Sequence, residues 1–160
     1  MDTNRHKTTA ERTNDRELVV MRTFDAPARL VFQAWTTPDL LKQWWAPKSS
    51  GAKLIGCEID LRTGGSYSYT FAHPSREEPM VFFGKYLEVV EYERIVWTNE
   101  ESEDGAVSTL TLVETNGQTL LTISEIYPTK QGLDQAYEGM EDGMPEQFNQ
   151  LDELLLTLDA

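Results

Sequence analysis

The sequence predicts an α+β fold: a curved antiparallel sheet of six to seven strands, two short helices, and one long C-terminal helix packed across the sheet. Two observations predict it. Apolar residues recur at three- and four-residue spacing in two short segments before residue 47 and in a long segment after residue 130. Between residues 54 and 126 the apolar period is two, interrupted by turn signals. Antiparallel strands in this number curl, so the apolar helix face is best buried against the concave side of the sheet.

The first ordered element is predicted to begin at Glu17. Residues 1–16 are polar, mixed in charge and without periodicity, and we predict a disordered tail there. Residues 17–158 form one predicted domain, which opens with a β-rich strand that ends near Phe24. A chain of 160 residues is long enough to bury one good core.

Two short helices are predicted next. Pro27 suits the first turn of one helix, whose apolar residues repeat at three- and four-residue spacing. Thr37 is a candidate cap for the second helix, with a proline at the first helical position. The second helix ends in Trp44 and Trp45, which neighbour each other in sequence and point about 100° apart. We expect one ring in the core and the other near a cavity mouth or the surface.

Six strands then follow from residue 54 to residue 126, separated by turns. Gly64-Gly65 predicts a tight turn, and Asn116-Gly117 predicts a hairpin turn in which both residues need positive φ. Gly84 lies inside the long strand from Met80 to Val90, which indicates a bulge or a bulky neighbour.

The last element is a long amphipathic helix over Gln131–Leu158. Its apolar residues recur at steps of three and four. Pro145 lies inside this pattern, and a proline in a helix interior costs on the order of 3 kcal/mol. We therefore expect a kink or a fresh start of the helix near Pro145.

The charge balance restricts the classes of partner. The net charge is −13, which repels phosphate backbones and anionic lipid, so neither nucleic acid nor an acidic membrane is an expected ligand. No apolar run is long enough to cross a bilayer, and residues 1–17 lack the apolar segment of a secretory signal. We expect a cytoplasmic protein that does not insert into membranes.

The residues that usually carry chemistry are few. Cys57 is the only cysteine, which excludes an intrachain disulfide, and its alternation with apolar residues favours a small buried hydrophobe. His6 and His73 have no cysteine or carboxylate at metal-ligand spacing. The sequence therefore predicts no metal site and no cofactor.

Glu125 is the single candidate for catalysis, and it is a weak one. It continues the strand parity of Leu121 and Ile123, which places a carboxyl on a face that is expected to be buried. Desolvation there would raise its pKa and suit it to general acid or base work. The alternative, which we favour, is that the alternation breaks near the strand end, so that Glu125 is exposed or paired with an arginine.

A cavity is expected between the sheet and the long helix, because a helix held by a curved sheet leaves space between them. Aromatic and methionine side chains would line it, and tyrosine or tryptophan tips would orient a ligand by hydrogen bonds. Strand parity alone does not say which face Tyr67, Tyr69 and Trp97 occupy, and plain packing in the core or on the outer face is the alternative. The predicted cavity residues are Trp35, Trp45, Tyr67, Tyr69, Trp97, Tyr137, Met140 and Met144.

Four segments carry a resemblance to a known family. They read FDAPARLVFQAWTTPDLLKQWW, CEIDLRTGG, FFGKYLEVVEYERIVWT and, in the last helix, MEDGM followed by FNQLDELL. In this order they resemble the START-like, or SRPBCC, helix-grip superfamily, which includes START domains, birch-pollen-type allergens and polyketide cyclases. Within it the chain is most similar to homologues of the activator of heat-shock protein 90 ATPase, over about residues 17–158.

The resemblance implies one expected function and two alternatives. Superfamily members bind lipids, hormones or polyketides in the cavity, so we expect a non-enzymatic binding domain for a small hydrophobic or amphipathic molecule. One alternative is a protein-interaction module related to chaperone ATPase activators, with a chaperone as its partner. The other is a cyclase-like enzyme that works through Glu125 and a cavity tyrosine. A monomer and a homodimer are both compatible with the sequence.

Overall fold

The computed structural model describes residues 8–46, 51–75, 77–100 and 105–158, and side chains within these ranges except those of residues 138–145. Within them lie eight strands and three helices. No described helix has the length and apolar character needed to span a membrane. The elements are β1 (Thr9–Arg12), β2 (Glu17–Phe24), α1 (Ala28–Thr36), α2 (Pro38–Trp44), β3 (Lys53–Ile59), β4 (Ser66–Ala72), β5 (Met80–Val90), β6 (Arg94–Thr98), β7 (Val107–Thr115), β8 (Gln118–Ile126) and α3 (Lys130–Thr157).

The strands form one antiparallel sheet in the order β1-β2-β8-β7-β6-β5-β4-β3. It is a curved open sheet, and α3 is the long C-terminal helix of an α+β fold. The predicted fold class is therefore confirmed, with eight strands where six to seven were expected. The connection from β2 to β3 runs through α1 and α2 and carries the chain from one side of the sheet to its far edge.

The additional strand, β1, corrects the prediction of a disordered tail. Thr9–Arg12 pairs with β2 from Thr9 opposite Met21 to Arg12 opposite Leu18. All four β1 residues are exposed, so backbone hydrogen bonds to the edge of β2 form this strand and apolar burial contributes nothing. A strand held in this way leaves no periodic pattern in the sequence. Residues 1–7 of the predicted tail lie outside the described residues.

The turn predictions are borne out by the backbone angles. Asn116 and Gly117 have φ values of 54° and 81°, and they join β7 to β8. Gly64 has a φ of 89° in the turn before β4. Tyr92 also has a positive φ, 65°, and its ring packs edge-on against Phe32 at a centroid distance of 5.4 Å. This contact anchors a tyrosine in a backbone conformation that side chains with a Cβ disfavour.

The helix ends are capped differently from the prediction. Thr37 occupies the cap position of α2, but its hydroxyl makes no capping hydrogen bond. At the start of α1 the backbone N–H of Ala28 donates to the Glu114 carboxylate of β7, at 2.8 Å. The hydroxyl of Thr129 accepts from the backbone N–H of Gly132 and caps α3. Helix α3 continues without interruption past Pro145, so the expected fresh start does not occur.

A buried charged group joins the sheet to α3. The guanidinium of Arg22, on the inner face of β2, is almost fully buried and donates to Asp152 Oδ2 at 3.0 Å and to Asn149 Oδ1 at 3.1 Å. It also lies over the ring of Phe24, 5.1 Å from the centroid. Phe24 in turn packs edge-on against Phe148 of α3. This cluster fixes the C-terminal half of α3 against the concave face.

Candidate functional site

A cavity of about 290 Å³ lies between the inner face of the sheet, α1, the end of α2 and α3. Aromatic side chains form most of its described lining. These are Trp35, Trp45, Tyr67, Tyr69, Phe71, Phe82, Tyr86 and Trp97. The remaining described lining residues are Ala46, Ala52, Ile95, Asn99 and Gln147. The cavity is therefore apolar with a small number of polar groups, which is the usual composition of a small-molecule site.

Strand pairing explains why these rings share one face. Tyr69 of β4 lies opposite Phe82 of β5, and Tyr86 of β5 lies opposite Trp97 of β6. Directly paired residues point to the same side of an antiparallel sheet. Successive residues on that face are two apart, so Tyr67 and Tyr69 both face the cavity.

Three tryptophans form one wall of the cavity. Trp35 of α1 packs edge-on against Trp45 at a centroid distance of 5.3 Å. The ring centroid of Trp97 lies 6.2 Å from that of Trp35. Trp44 is fully buried behind them, and its indole N–H donates to the Ala34 carbonyl at 3.0 Å. The neighbours Trp44 and Trp45 thus divide as the sequence predicts, one in the core and one at the cavity. The indole N–H of Trp35 is buried without a hydrogen-bond partner in the described part of the chain.

The three cavity tyrosines form a cluster. The ring of Tyr67 lies 5.0 Å from that of Tyr69 and 5.6 Å from that of Tyr86, between centroids. Burial raises the pKa of both Tyr69 and Tyr86, and the two hydroxyl groups also interact with each other. Both hydroxyls therefore stay protonated at neutral pH and offer neutral hydrogen-bonding groups to the cavity.

Gly84 makes room for one of these rings. It pairs with Tyr67, and a Cβ built on Gly84 would lie 2.9 Å from Cε2 of that ring. The same Cβ would lie 1.9 Å from the carbonyl oxygen of Thr98, which no side chain tolerates. The bulky neighbour that the sequence indicates for this glycine is Tyr67, together with the backbone of β6.

A chain of hydrogen bonds runs from the cavity into the sheet. Asn99 Nδ2 donates to the Ala106 carbonyl at 2.7 Å and to Ser108 Oγ at 3.1 Å. Ser108 Oγ donates to Glu125 Oε2 at 3.1 Å, and the Tyr127 hydroxyl donates to Glu125 Oε1 at 3.1 Å. Asn99 lines the cavity, whereas Ser108 is fully buried behind it.

Glu125 faces inward, as its parity indicates. It lies opposite Ser108 in the pairing of β7 and β8. The favoured alternative expects exposure or an arginine partner, but the described partners of its carboxyl are the hydroxyls of Ser108 and Tyr127. The residue as a whole keeps some solvent contact, but burial of its carboxyl raises the pKa, and the two hydroxyl donors oppose that rise. Glu125 is not among the described residues that line the cavity.

The other candidate groups show no site. Cys57 is half-buried, and burial raises the pKa of its thiol to about 11, so it stays protonated and unreactive at neutral pH. His73 Nδ1 accepts from the backbone N–H of Ser75 in a turn. His6 lies outside the described residues. Among the residues that the structure describes, no group of three or more His, Cys, Asp or Glu side chains is placed to hold a metal ion.

The cavity contains five of the eight residues that the sequence predicts for it: Trp35, Trp45, Tyr67, Tyr69 and Trp97. Tyr137 is placed elsewhere. Its ring lies under the Arg12 guanidinium of β1 at 5.8 Å, because the N-terminal part of α3 packs at that edge of the sheet. The side chains of Met140 and Met144 lie outside those that the structure describes.

Sequence reasoning missed several lining residues. Strand parity would have found three of them, since Phe71 is two residues from Tyr69, and Phe82 and Tyr86 flank Gly84 at the same spacing. Asn99 is likewise two residues beyond Trp97. Gln147 carries no such signal, because its place depends on how α3 meets α2: its Nε2 donates to the Trp45 carbonyl at 2.5 Å.

Solved structures share this fold. A protein from Nitrosomonas europaea is 26% identical with a TM-score of 0.81, and the alignment covers 89% of this chain and 96% of that one. A protein from Staphylococcus epidermidis is 29% identical with a TM-score of 0.79, covering 95% and 96% of the two chains. A protein from Rhodobacter sphaeroides has a TM-score of 0.87 over 96% of this chain and 100% of that chain, at 21% identity, and shows the fold alone.

Sequence comparison identifies the family. No curated protein matches the chain in sequence. The family model described as activator of Hsp90 ATPase homolog 1-like protein matches residues 25–156. This match spans most of the chain and confirms the resemblance found in its motifs. The chain belongs to the family of activator of Hsp90 ATPase homolog 1-like proteins.

Proposed function

We propose that this protein binds one small, largely apolar molecule in the cavity between the sheet and α3, without transforming it. The observation that carries the proposal is the aromatic lining of a cavity of about 290 Å³. An apolar cavity of about 150 Å³ is known to admit benzene, and drug-sized sites begin at about 300 Å³. The size therefore favours a ligand of about two fused rings.

Binding is favoured over catalysis by the position of the Glu125 carboxyl. A general acid or base must come within hydrogen-bond reach of the reacting atoms. Glu125 is separated from the cavity by Ser108 and Asn99 in the hydrogen-bond chain. The cyclase-like alternative would need Glu125 in contact with substrate. The chaperone-related alternative takes its support from the family description and stays a prediction.

The test is a titration of the protein with naphthalene, measured by isothermal titration calorimetry. We expect saturable binding with one molecule per chain, because the cavity can hold one bicyclic molecule. Ala52→Phe should abolish this binding, since Ala52 lines the cavity and the added ring would occupy it. Ala10→Phe is the matched control, because Ala10 is exposed on β1 and is not part of the described cavity lining. Equal binding by both variants would refute the proposal.

A further inference from the structure

We infer that the ligand carries a hydrogen-bond donor, a hydroxyl of the phenol or alcohol class, and that Asn99 Oδ1 accepts it. The inference rests on the proposed function and concerns the chemistry of the same cavity. Asn99 follows β6 directly and is the side-chain amide of the cavity lining on the sheet side. An amide group can donate two hydrogen bonds and accept others, so its orientation decides what it offers a ligand.

The orientation of the Asn99 amide is determined by its partners. The Ala106 carbonyl lies 2.7 Å away, and a carbonyl can only accept, so the amide nitrogen must be the atom that faces it. The second amide hydrogen points to Ser108 Oγ at 3.1 Å. Ser108 Oγ is able to accept because its own proton is donated to Glu125 Oε2. Both N–H bonds of Asn99 are thus used within the protein.

The oxygen of the amide is left as the available group. Its described neighbour is the Tyr67 hydroxyl, at 3.4 Å. The same hydroxyl lies 2.6 Å from the Thr98 carbonyl, and its single proton is donated there by the shorter contact. Oδ1 therefore presents lone pairs beside apolar rings, where a hydrogen bond is stronger than in water. A ligand hydroxyl that reaches Oδ1 is stabilised, and an ether of the same shape is not.

Gln147 supplies the second side-chain amide of the described lining. Gln147 Nε2 donates to the Trp45 carbonyl, so its nitrogen is also engaged within the protein. The hydroxyls of Tyr69 and Tyr86 interact with each other. The amide nitrogens of the cavity are engaged by protein carbonyls, and Asn99 keeps an oxygen for the ligand. Asn99 Oδ1 is therefore an acceptor in the lining that a ligand hydroxyl can use.

The experiment compares three probes of nearly equal shape by isothermal titration calorimetry: 2-naphthol, which donates, 2-methoxynaphthalene, which only accepts, and naphthalene. We expect 2-naphthol to bind about fivefold more tightly than the ether, which corresponds to one net hydrogen bond. Without an acceptor in the cavity the order would reverse, because the ether is the more apolar molecule. An ether that binds as tightly as 2-naphthol overturns the inference while leaving the proposed function intact.

Two variants assign the preference to Asn99. Asn99→Leu should reduce the ratio of the 2-naphthol and ether affinities to about one, because it removes the acceptor Oδ1. Ala10→Phe should keep the preference, since Ala10 is exposed on β1 and is not part of the described cavity lining. Persistence of the preference in Asn99→Leu would overturn the assignment to this residue. If Asn99→Leu fails to fold, the wild-type comparison still decides the donor preference. A failure of all three probes to bind would overturn the proposed function and the inference together.

Discussion

The inner face of β8 holds a carboxyl in surroundings that disfavour its charge. Glu125 accepts from Ser108 and Tyr127, and among the described residues no cation pairs with it. Burial raises its pKa in the folded protein above the ordinary value of 4.5. At a pH between 4.5 and the raised pKa of the folded state, the folded state holds more protons than the unfolded state. The free energy of unfolding therefore falls as pH rises through this range.

Replacing Glu125 by glutamine removes this pH dependence. The stability of the wild type should fall relative to that of Glu125→Gln as the pH is raised from 4.5 through the folded-state pKa, because only the wild type acquires a buried charge. Urea denaturation of both proteins across a pH series measures the difference, and other ionisable groups cancel in it. A difference that stays constant with pH would contradict the argument.

Gly84 leaves room for the ring of Tyr67, which lines the cavity. Gly84→Ala should lower the free energy of unfolding by about 2 kcal/mol, because the new methyl group meets the Thr98 carbonyl and the Tyr67 ring. Gly56→Ala is the matched control in a neighbouring region of the sheet. There the Cβ would approach only the Thr70 side chain, at 3.3 Å, and a smaller loss is expected. Equal losses in the two variants would contradict the steric account.

At the scale of elements, α3 is fastened to the rest of the molecule by polar contacts as well as by packing. Arg22 of β2 donates to Asp152 and Asn149 of α3. Gln150 Nε2 donates to the carbonyls of Trp44 and Ala46 at the end of α2, at 2.9 and 3.0 Å. Unpaired carbonyls at a helix end need such partners, so one helix completes the other.

The buried ion pair should be worth far more than an exposed one. Asp152→Ala takes the carboxylate from a guanidinium whose side chain is 1% exposed, and we expect a loss of about 3 kcal/mol in the free energy of unfolding. Asp134→Ala is the control, since it breaks only exposed pairs, with Arg12 and Lys130, and should change stability little. Thermal or urea unfolding compares the two. Similar effects would show that burial does not govern this pair.

At the scale of the whole molecule, the cavity follows from the path of the chain. The segment from α1 to α2 joins β2 to the far edge of the sheet at β3, so it crosses one end of the concave face. Helix α3 then returns against the same face and contacts α2, which places Trp35, Trp45 and Gln147 around one space. The net charge of the chain is −13, while the described cavity lining is uncharged. A neutral ligand suits this interior.

The sequence alone determined the type and order of seven strands and three helices and the hairpin at Asn116-Gly117. These features follow from local rules, because periodicity and turn chemistry act over a few residues. For the same reason the separate directions of Trp44 and Trp45 were predictable from their spacing on a helix.

Only the tertiary structure decided the rest, because it depends on residues far apart in the chain. Strand β1 forms by pairing with β2 and has no apolar signature of its own. Tyr137 contacts Arg12 of β1 and does not line the cavity, because the N-terminal part of α3 packs at that edge of the sheet. Arg22 finds Asp152 across 130 residues, and Asn99 presents its oxygen only because Ala106 and Ser108 hold its nitrogen. Local patterns say which face a side chain occupies, whereas its hydrogen-bond partners are set by the packing of distant elements.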